Sequence, residues 1–275
     1  MFQLCDQKKG GDLAGYIDTH AHYDDSAFDG CREELIGSLF DRGMSLIIDP
    51  AVDMASSMRI IELSSKFPRY YCAVGIHPHE ASKASGADYE KLEQISSSDC
   101  ARVNKIVAIG ETGLDYHYDF SPRDAQQDNF RKNIRIALKN ELPLIIHDRE
   151  AHSDTFGILK EEEAFSGKVL FHCYSGSAEF AEQLLKYGCY FSFGGAITFK
   201  NAAKFDSVLK TIPRGNILPE TDSPYMSPEP KRGTRNDSSN LKYIYARLAL
   251  HLGMETDELI RLLMDNTARF FGFET

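Results

Sequence analysis

Eight short apolar, β-branched runs recur along this chain with longer segments of helical spacing between them, and no other feature narrows the choice of fold as far. The runs are YIDTH (16–20), LIIDP (46–50), YYCAVGI (70–76), IVAIGE (106–111), LPLIIH (142–147), VLFHC (169–173), YFSFGG (190–195) and ILPETD (217–222). Between them, segments such as CREELIGSLFDRG, MRIIELSSKF, NFRKNIRIALKNE and AEFAEQLLKYG carry apolar residues three and four apart, the period of an amphipathic helix. Gly43 and Gly188 each follow such a segment, and Pro143 opens the fifth run. Strands alternating with helices over a domain-sized chain predict an α/β fold, a (β/α)8 TIM barrel. An open doubly wound sheet has the same near-continuous apolar strands and is the second architecture to consider.

One domain is expected over 16–275, since no linker rich in Gly, Ser or Pro divides it. The only loop rich in turn formers, SPYMSPEPKRGTRNDSSN, follows the last run. Residues 1–15 are polar and Gly-rich, and a loose N-terminal extension is expected there. With 42% hydrophobic and 26% charged residues the chain has material for a sizeable core. No secretory signal and no apolar run of the ~18 residues a membrane span needs are read in it. Cys5, Cys31, Cys72, Cys100, Cys173 and Cys189 are scattered without a Cys-x-x-Cys pair, which suits reduced thiols and a cytoplasmic location. A formal net charge of −10 argues against wrapping duplex DNA, where many phosphates must be neutralised. It leaves room for an enzyme that grips a chain end beside a bound cation. No membrane and no obligate protein partner are indicated.

The polar residues that interrupt the runs carry the chemistry. His20 and His22 are two apart in YIDTHAHYDD, so on a strand they project from one face, the spacing with which two imidazoles grip one ion. An isolated His-x-His is more often a hydrogen-bonded pair on a half-exposed strand, and the remainder of the chain decides the matter. IVAIG is followed by Glu111, LII by His147, VLF by His172 and ILPET by Asp222. All of these stand at the carboxyl ends of predicted strands, where barrel active sites are built. Four neutral imidazoles and two carboxylates suit Zn²⁺ or Mn²⁺, or Mg²⁺ where carboxylate and water dominate. The set exceeds what one open catalytic zinc takes, so two divalent metal ions are expected, with Glu111 as the bridge.

The stretches YIDTHAHYDD, AVGIHPH, IGETGLDYH, PLIIHDREA, FHCYSGS, FGGAITFKNA and ILPETDSPYMSPEPKRGTRN resemble, in order and spacing, the motifs of the TatD family of metal-dependent deoxyribonucleases. The resemblance runs from about residue 16 to the C-terminus. It implies a TIM barrel of the amidohydrolase-like group and a divalent-metal phosphodiesterase acting on DNA. By position it carries metal binding onto His20, His22, Glu111, His147, His172 and Asp222. Family members usually continue Arg-Asn with Glu-Pro, whereas here Asp237 and Ser238 follow Asn236.

Roles follow from placement. Asp222 can hold a metal and accept a proton from water, the general-base task. Glu220 lies two residues back on the same face and is expected to orient a ligand or water; Asp18 stands in the same relation to His20. His77 lies outside the ligand pattern, and the resemblance makes it a contact to substrate phosphate; His79 reads as a surface loop residue. Arg149, Arg232 and Arg235 are candidate phosphate contacts in an otherwise acidic chain. Tyr116, with Tyr118, Phe120 and Tyr225, can stack unpaired bases. The expected activity is hydrolysis of DNA phosphodiester bonds by a two-metal-activated water. The favoured form is a 3′–5′ exonuclease on single-stranded or frayed ends, serving DNA repair or degradation; cleavage at abasic sites is the other form. Two rivals are a metal-dependent hydrolase of a small amide, lactone or phosphate ester and a non-catalytic scaffold. The scaffold predicts a gap among the ligands, which the sequence does not have.

Overall fold

The computed structural model describes residues 2–3 and 11–274. All eight runs form strands: β1 (Ile17–Asp18), β2 (Leu46–Pro50), β3 (Tyr70–Val74), β4 (Ile106–Asp115), β5 (Leu144–Arg149), β6 (Val169–Phe171), β7 (Tyr190–Phe193) and β8 (Ile217–Pro219). They make one eight-stranded sheet, hydrogen-bonded in sequence order. Its last strand returns to its first: the Thr19 N–H donates to the Pro219 carbonyl at 3.1 Å, the Asp222 N–H donates to the His20 carbonyl at 2.9 Å, and Ala21 bridges Ser223 in parallel. A parallel sheet ordered in this way is a (β/α)8 barrel, and the doubly wound alternative falls.

The chain forms two compact units by its internal contacts, Met1–Asp49 with Gly176–Lys186 and Phe191–Thr275, and Pro50–Ser175 with Tyr187–Tyr190. In the first, Ile17 pairs with Leu46 and Phe191 with Ile217. Tyr245, fully buried on the helix Leu241–Leu252, accepts a hydrogen bond from the Ile17 N–H at 3.2 Å. Asp18 locks the strand ends together more firmly. Its carboxylate accepts from the Thr221 N–H at 2.9 Å, the Thr221 hydroxyl at 2.6 Å and the Ser238 hydroxyl at 2.6 Å. Burial raises its pKa to about 7 against the pull of those donors.

In the second unit, β3, β4 and β6 are buried throughout and β5 over its first three residues, which explains the continuous apolar runs. The helix Arg123–Lys139 turns amides as well as apolar side chains inward. Asn129 donates to the Ile76 carbonyl at 2.9 Å and Asn133 accepts the Ile76 N–H at 3.2 Å, so both backbone groups of Ile76, just beyond β3, are satisfied. The β4 strand is longer than the run IVAIGE suggests, because a bulge lies within it. Ile109 pairs with Leu144 and Thr112 with Ile146, three steps on one strand against two on the other. The extra residue falls at Gly110–Glu111, re-aiming Glu111 and letting the ladder continue to Asp115.

Of the extension expected to be loose, residues 1 and 4–10 lie outside the described residues. The remainder is tied down: Phe2–Gln3 pairs in parallel with Phe273–Glu274, the Leu13 N–H donates to the Arg42 carbonyl at 3.1 Å, and Asp12 forms a bidentate pair with Arg42 at 2.7 and 2.9 Å. Leu13 is fully buried, since the turn at 12–15 drops it against the core before β1 begins. Among the described residues no helix is long and apolar enough to cross a membrane.

Leu13→Ala is expected to lower the unfolding free energy by about 2–5 kcal/mol, the usual cost of such a cavity. Urea denaturation at fixed metal concentration reads it, and an unmoved midpoint would show that the turn contributes nothing.

Candidate metal centre

Each unit gathers its own set of donor atoms. In the first, the step from β1 into the following turn presents His20 and His22, and the step out of β8 presents Asp222. The His20 and His22 Nε2 atoms stand 3.2 Å apart, and Asp222 Oδ1 lies 4.0 and 3.6 Å from them. Asp222 has a left-handed backbone, φ +57°, a conformation that Asp tolerates better than most residues. Its side chain remains 16% exposed, so the set is open on that side. His22, Asp24 and Asp49 form a second possible group that shares His22.

The second unit centres on Glu111. Its Oε1 lies 2.6 Å from His147 Nδ1, 2.7 Å from His172 Nε2 and 3.5 Å from His77 Nε2. The glycines that flank it in IGETG are required by the neighbouring strand. A Cβ on Gly110 would come within 2.7 Å of the Ile145 carbonyl oxygen, and one on Gly113 within 2.0 Å of that of His147, and both have positive φ.

Asp115, a residue the sequence reading passed over, fixes His147. The carboxylate Oδ2 accepts from His147 Nε2–H at 3.0 Å and from His79 Nε2–H at 2.9 Å, while Oδ1 accepts the N–H groups of His117 and Tyr118 at 3.0 and 2.9 Å. Burial opposes its charge, but these donors outweigh burial and hold the carboxyl well below the usual range. With Nε2 committed as a donor to Asp115, His147 aims its Nδ1 at Glu111, where a proton joins the two at 2.6 Å and a metal ion could take the proton's place, the carboxylate–histidine relay found behind metal ligands. The His147 pKa is raised: burial pushes it down, but the bonds to Asp115 and Glu111 overcome that. Burial pushes His77 down to about 4 in spite of Glu111, which leaves it a neutral imidazole.

Donor chemistry and spacing suit a divalent ion. Ligands held at about 2.1 Å around a tetrahedral ion stand about 3.4 Å apart. The separations in the two sets, 3.2 to 4.0 Å and 2.6 to 3.5 Å, straddle that value. Without a cation, imidazole nitrogens facing one another in a buried site gain little. A shared ion makes each lone pair useful.

The model of the family described as "TatD related DNase" matches residues 17–272. The chain belongs to this family. The "Uncharacterized metal-dependent hydrolase YabD" of Bacillus subtilis (strain 168) is 39% identical over 255 residues, covering 93% of this chain and 98% of that protein. The "Uncharacterized metal-dependent hydrolase YcfH" of Escherichia coli (strain K12) is 30% identical over 261 residues, covering 94% and 96%. The crystal structure of YjjV, a TatD homologue from Escherichia coli K12, matches with a TM-score of 0.87 at 30% identity, over 95% of this chain and 100% of that one. This TatD-family member is a metal-dependent hydrolase, and the eight-stranded barrel is the family's fold.

The remaining candidate residues divide. His77, expected apart from the ligands, stands among them as one of the donors around Glu111. His79, expected on a surface loop, is bound to Asp115; apolar spacing carries no signal for such a contact. Arg149 is exposed at the end of β5 with its guanidinium 4.7 Å from the centre of the Tyr118 ring. Tyr116 is turned to other work: its hydroxyl donates to Asp154 at 2.7 Å, and Arg123 covers its ring at 4.1 Å. Arg235 donates to the Ala27 carbonyl at 2.7 Å and covers Phe28 at 4.8 Å, pinning the loop after β8. Arg232 is exposed over Phe199 at 3.8 Å. Glu220 is fully buried and accepts from the Ser192 hydroxyl at 2.5 Å, and it belongs to neither donor set among the described residues. The Asp237–Ser238 departure builds its own contacts, for Asp237 caps the Ser239 N–H at 2.8 Å and Ser238 reaches Asp18.

Asp115→Ala is expected to weaken divalent-metal binding about 10- to 100-fold, as loss of a ligand's outer partner usually does. Calorimetric titration of metal-stripped protein with Mn²⁺ or Zn²⁺, beside a thermal melt to check folding, measures this. Unaltered affinity in a folded variant would remove Asp115 from the centre.

Proposed function

We propose that this hydrolase is a deoxyribonuclease that trims single-stranded or frayed DNA from the 3′ end. Its cofactors in this reading are two divalent ions, Mg²⁺, Mn²⁺ or Zn²⁺. His20, His22 and Asp222 hold one; Glu111, His147 and His172, with His77 beside them, hold the other. The observation that carries the reading is the Glu111 oxygen standing within 3.5 Å of three imidazole nitrogens, in a chain matched from 17 to 272 by the family model for a DNase. Bound divalent ions make water more acidic and offset charge on phosphoryl oxygens.

The protein's own groups then have these tasks. Asp222, partly open to solvent, takes the proton of the attacking water. The water oxygen bonds to phosphorus as the bond to the departing nucleotide's sugar oxygen breaks. Neutral His77 donates a hydrogen bond to substrate phosphate or completes the donor set around Glu111. Arg149, and Arg232 beyond it in the sequence, supply cations to phosphate oxygens in a chain of net charge −10. Arg235 and Tyr116 act through the loops they hold. Glu220, on the segment that leads from β8 to Asp222, is a positioning residue tied to Ser192 of β7. No disulfide joins the described cysteines, in keeping with a cytoplasmic enzyme of DNA repair or degradation.

The test is hydrolysis of a 5′-labelled single-stranded oligomer by metal-stripped protein with Mg²⁺ or Mn²⁺ restored. A ladder of progressively shorter labelled products is expected. It should vanish without metal and fall at least about a thousandfold in Glu111→Ala, a loss of the size seen when a principal electrostatic group is removed. An oligomer left intact with every metal, by protein that hydrolyses a small phosphate ester, would give the substrate class to small esters instead.

A further inference from the structure

The loop after β4 leaves two large aromatic side chains in solvent where most of its other polar and apolar groups are engaged. Tyr118 is 48% and Phe120 66% exposed, and their rings stack with centroids 5.2 Å apart and planes 18° from parallel. Exposed aromatic surface of this size gains nothing from the hydrophobic effect unless something covers it.

The pair is not on a slack loop. The Tyr118 N–H is held by Asp115 at 2.9 Å, and Gln126 accepts the Asp115 N–H at 2.8 Å while donating to the carbonyls of Asp115 and Ser121 at 3.1 and 2.8 Å. The Ser121 hydroxyl donates to the His79 carbonyl at 2.9 Å, and Arg123 clamps Asp119. Both rings stand edge-on to His79, Tyr118 at 5.6 Å and Phe120 at 4.7 Å between centroids. His79 shares the Asp115 carboxylate with His147, and their rings are 6.1 Å apart. The stacked pair is therefore one imidazole removed from a residue of the Glu111 donor set. Arg149 adds a cation against Tyr118, 4.7 Å from its ring centre.

We infer that Tyr118 and Phe120 form a stacking platform for an unpaired nucleobase of a single DNA strand, with Arg149 meeting the phosphate beside that base. The inference rests on the deoxyribonuclease reading and deepens it. Phe120 stacks on Tyr118 and the Arg149 guanidinium lies over the Tyr118 ring, so the base is received chiefly on Phe120, the more exposed ring, with Tyr118 backing it. A π face accepts any base and reads none, while the guanidinium follows the backbone. A base inside a duplex keeps both faces covered by its neighbours, so the platform selects single-stranded or frayed ends. It also assigns the aromatic contact to Tyr118 and Phe120 in place of Tyr116, whose ring and hydroxyl are occupied by Arg123, Gln127 and Asp154.

Two measurements test it. Metal-free protein is titrated with a single-stranded oligomer carrying 2-aminopurine at its 3′ end, whose fluorescence is quenched by stacking. Metal-loaded protein is assayed on oligomers ending in a normal or an abasic 3′ nucleotide. Phe120→Ala and Tyr118→Ala are expected to weaken binding about five- to a hundredfold, the range for losing one base–aromatic stack. They should also reduce the quench and raise KM on the normal end far more than on the abasic end. Phe120→Tyr should recover the quench and Phe120→Leu should not, which separates stacking from bulk and from misfolding. DNA cleaved by both alanine variants with unchanged KM and unchanged quench overturns the platform alone. Wild-type protein that hydrolyses methyl 4-nitrophenyl phosphate but neither binds nor cleaves the oligomers overturns the deoxyribonuclease reading, and the platform with it.

Discussion

The Glu111 carboxylate is the constraint from which the rest of its unit follows. One oxygen stands against the nitrogens of His77, His147 and His172, each supplied by a different stretch of backbone. Bringing the carboxylate there requires the extra residue in β4, and that bulge requires glycine on either side, because strand β5 leaves no room for a Cβ. The lengthened β4 in turn delivers Asp115 on the same face two pairs further along, where it orients His147. One backbone irregularity thus precedes both the carboxylate that faces three imidazoles and the one that orients His147.

The other unit solves a related problem with fewer donors. His20 and His22 come from the turn after β1 and Asp222 from the step out of β8, and backbone bonds join these two segments, the Asp222 N–H donating to the His20 carbonyl. Asp18, buried among Thr221 and Ser238, is the rivet of that joint rather than a further donor. The asymmetry has a chemical consequence. The Glu111 set is enclosed and tightly bonded, whereas Asp222 keeps an exposed edge, which suits the proton-accepting role proposed for it.

The aromatic loop after β4 completes a gradient from rigid to open. Asp115 and Gln126 fix its base, Ser121 and Arg123 fix its far end, and the rings of Tyr118 and Phe120 are left in solvent. A base that stacked on rings already held in position, as proposed, would spend little conformational entropy, so even a weak, sequence-blind contact would be useful. On the proposed reading, the net charge of −10 would discourage duplex from lying across that loop.

Periodicity and residue type were enough to predict the barrel and to mark six polar residues that the structure gathers into two clusters. LIIDP became Leu46–Pro50 without change, and each of the six predicted ligands stands in one of the two donor sets or directly against it. The reason is physical: a buried parallel strand must be apolar until the point where it emerges, so a His or Glu closing an apolar run marks a strand end. Tertiary structure alone decided the rest. The bulge at Glu111 leaves no mark in hydrophobic period, so Asp115 was hidden beyond the apparent end of the run. His77 and His79 lie in a turn, where direction depends on what the neighbouring strands offer. Tyr116, Tyr118 and Phe120 are alike as sequence, and only the positions of Asp154, Gln127 and Arg123 determine which ring is covered and which two face solvent.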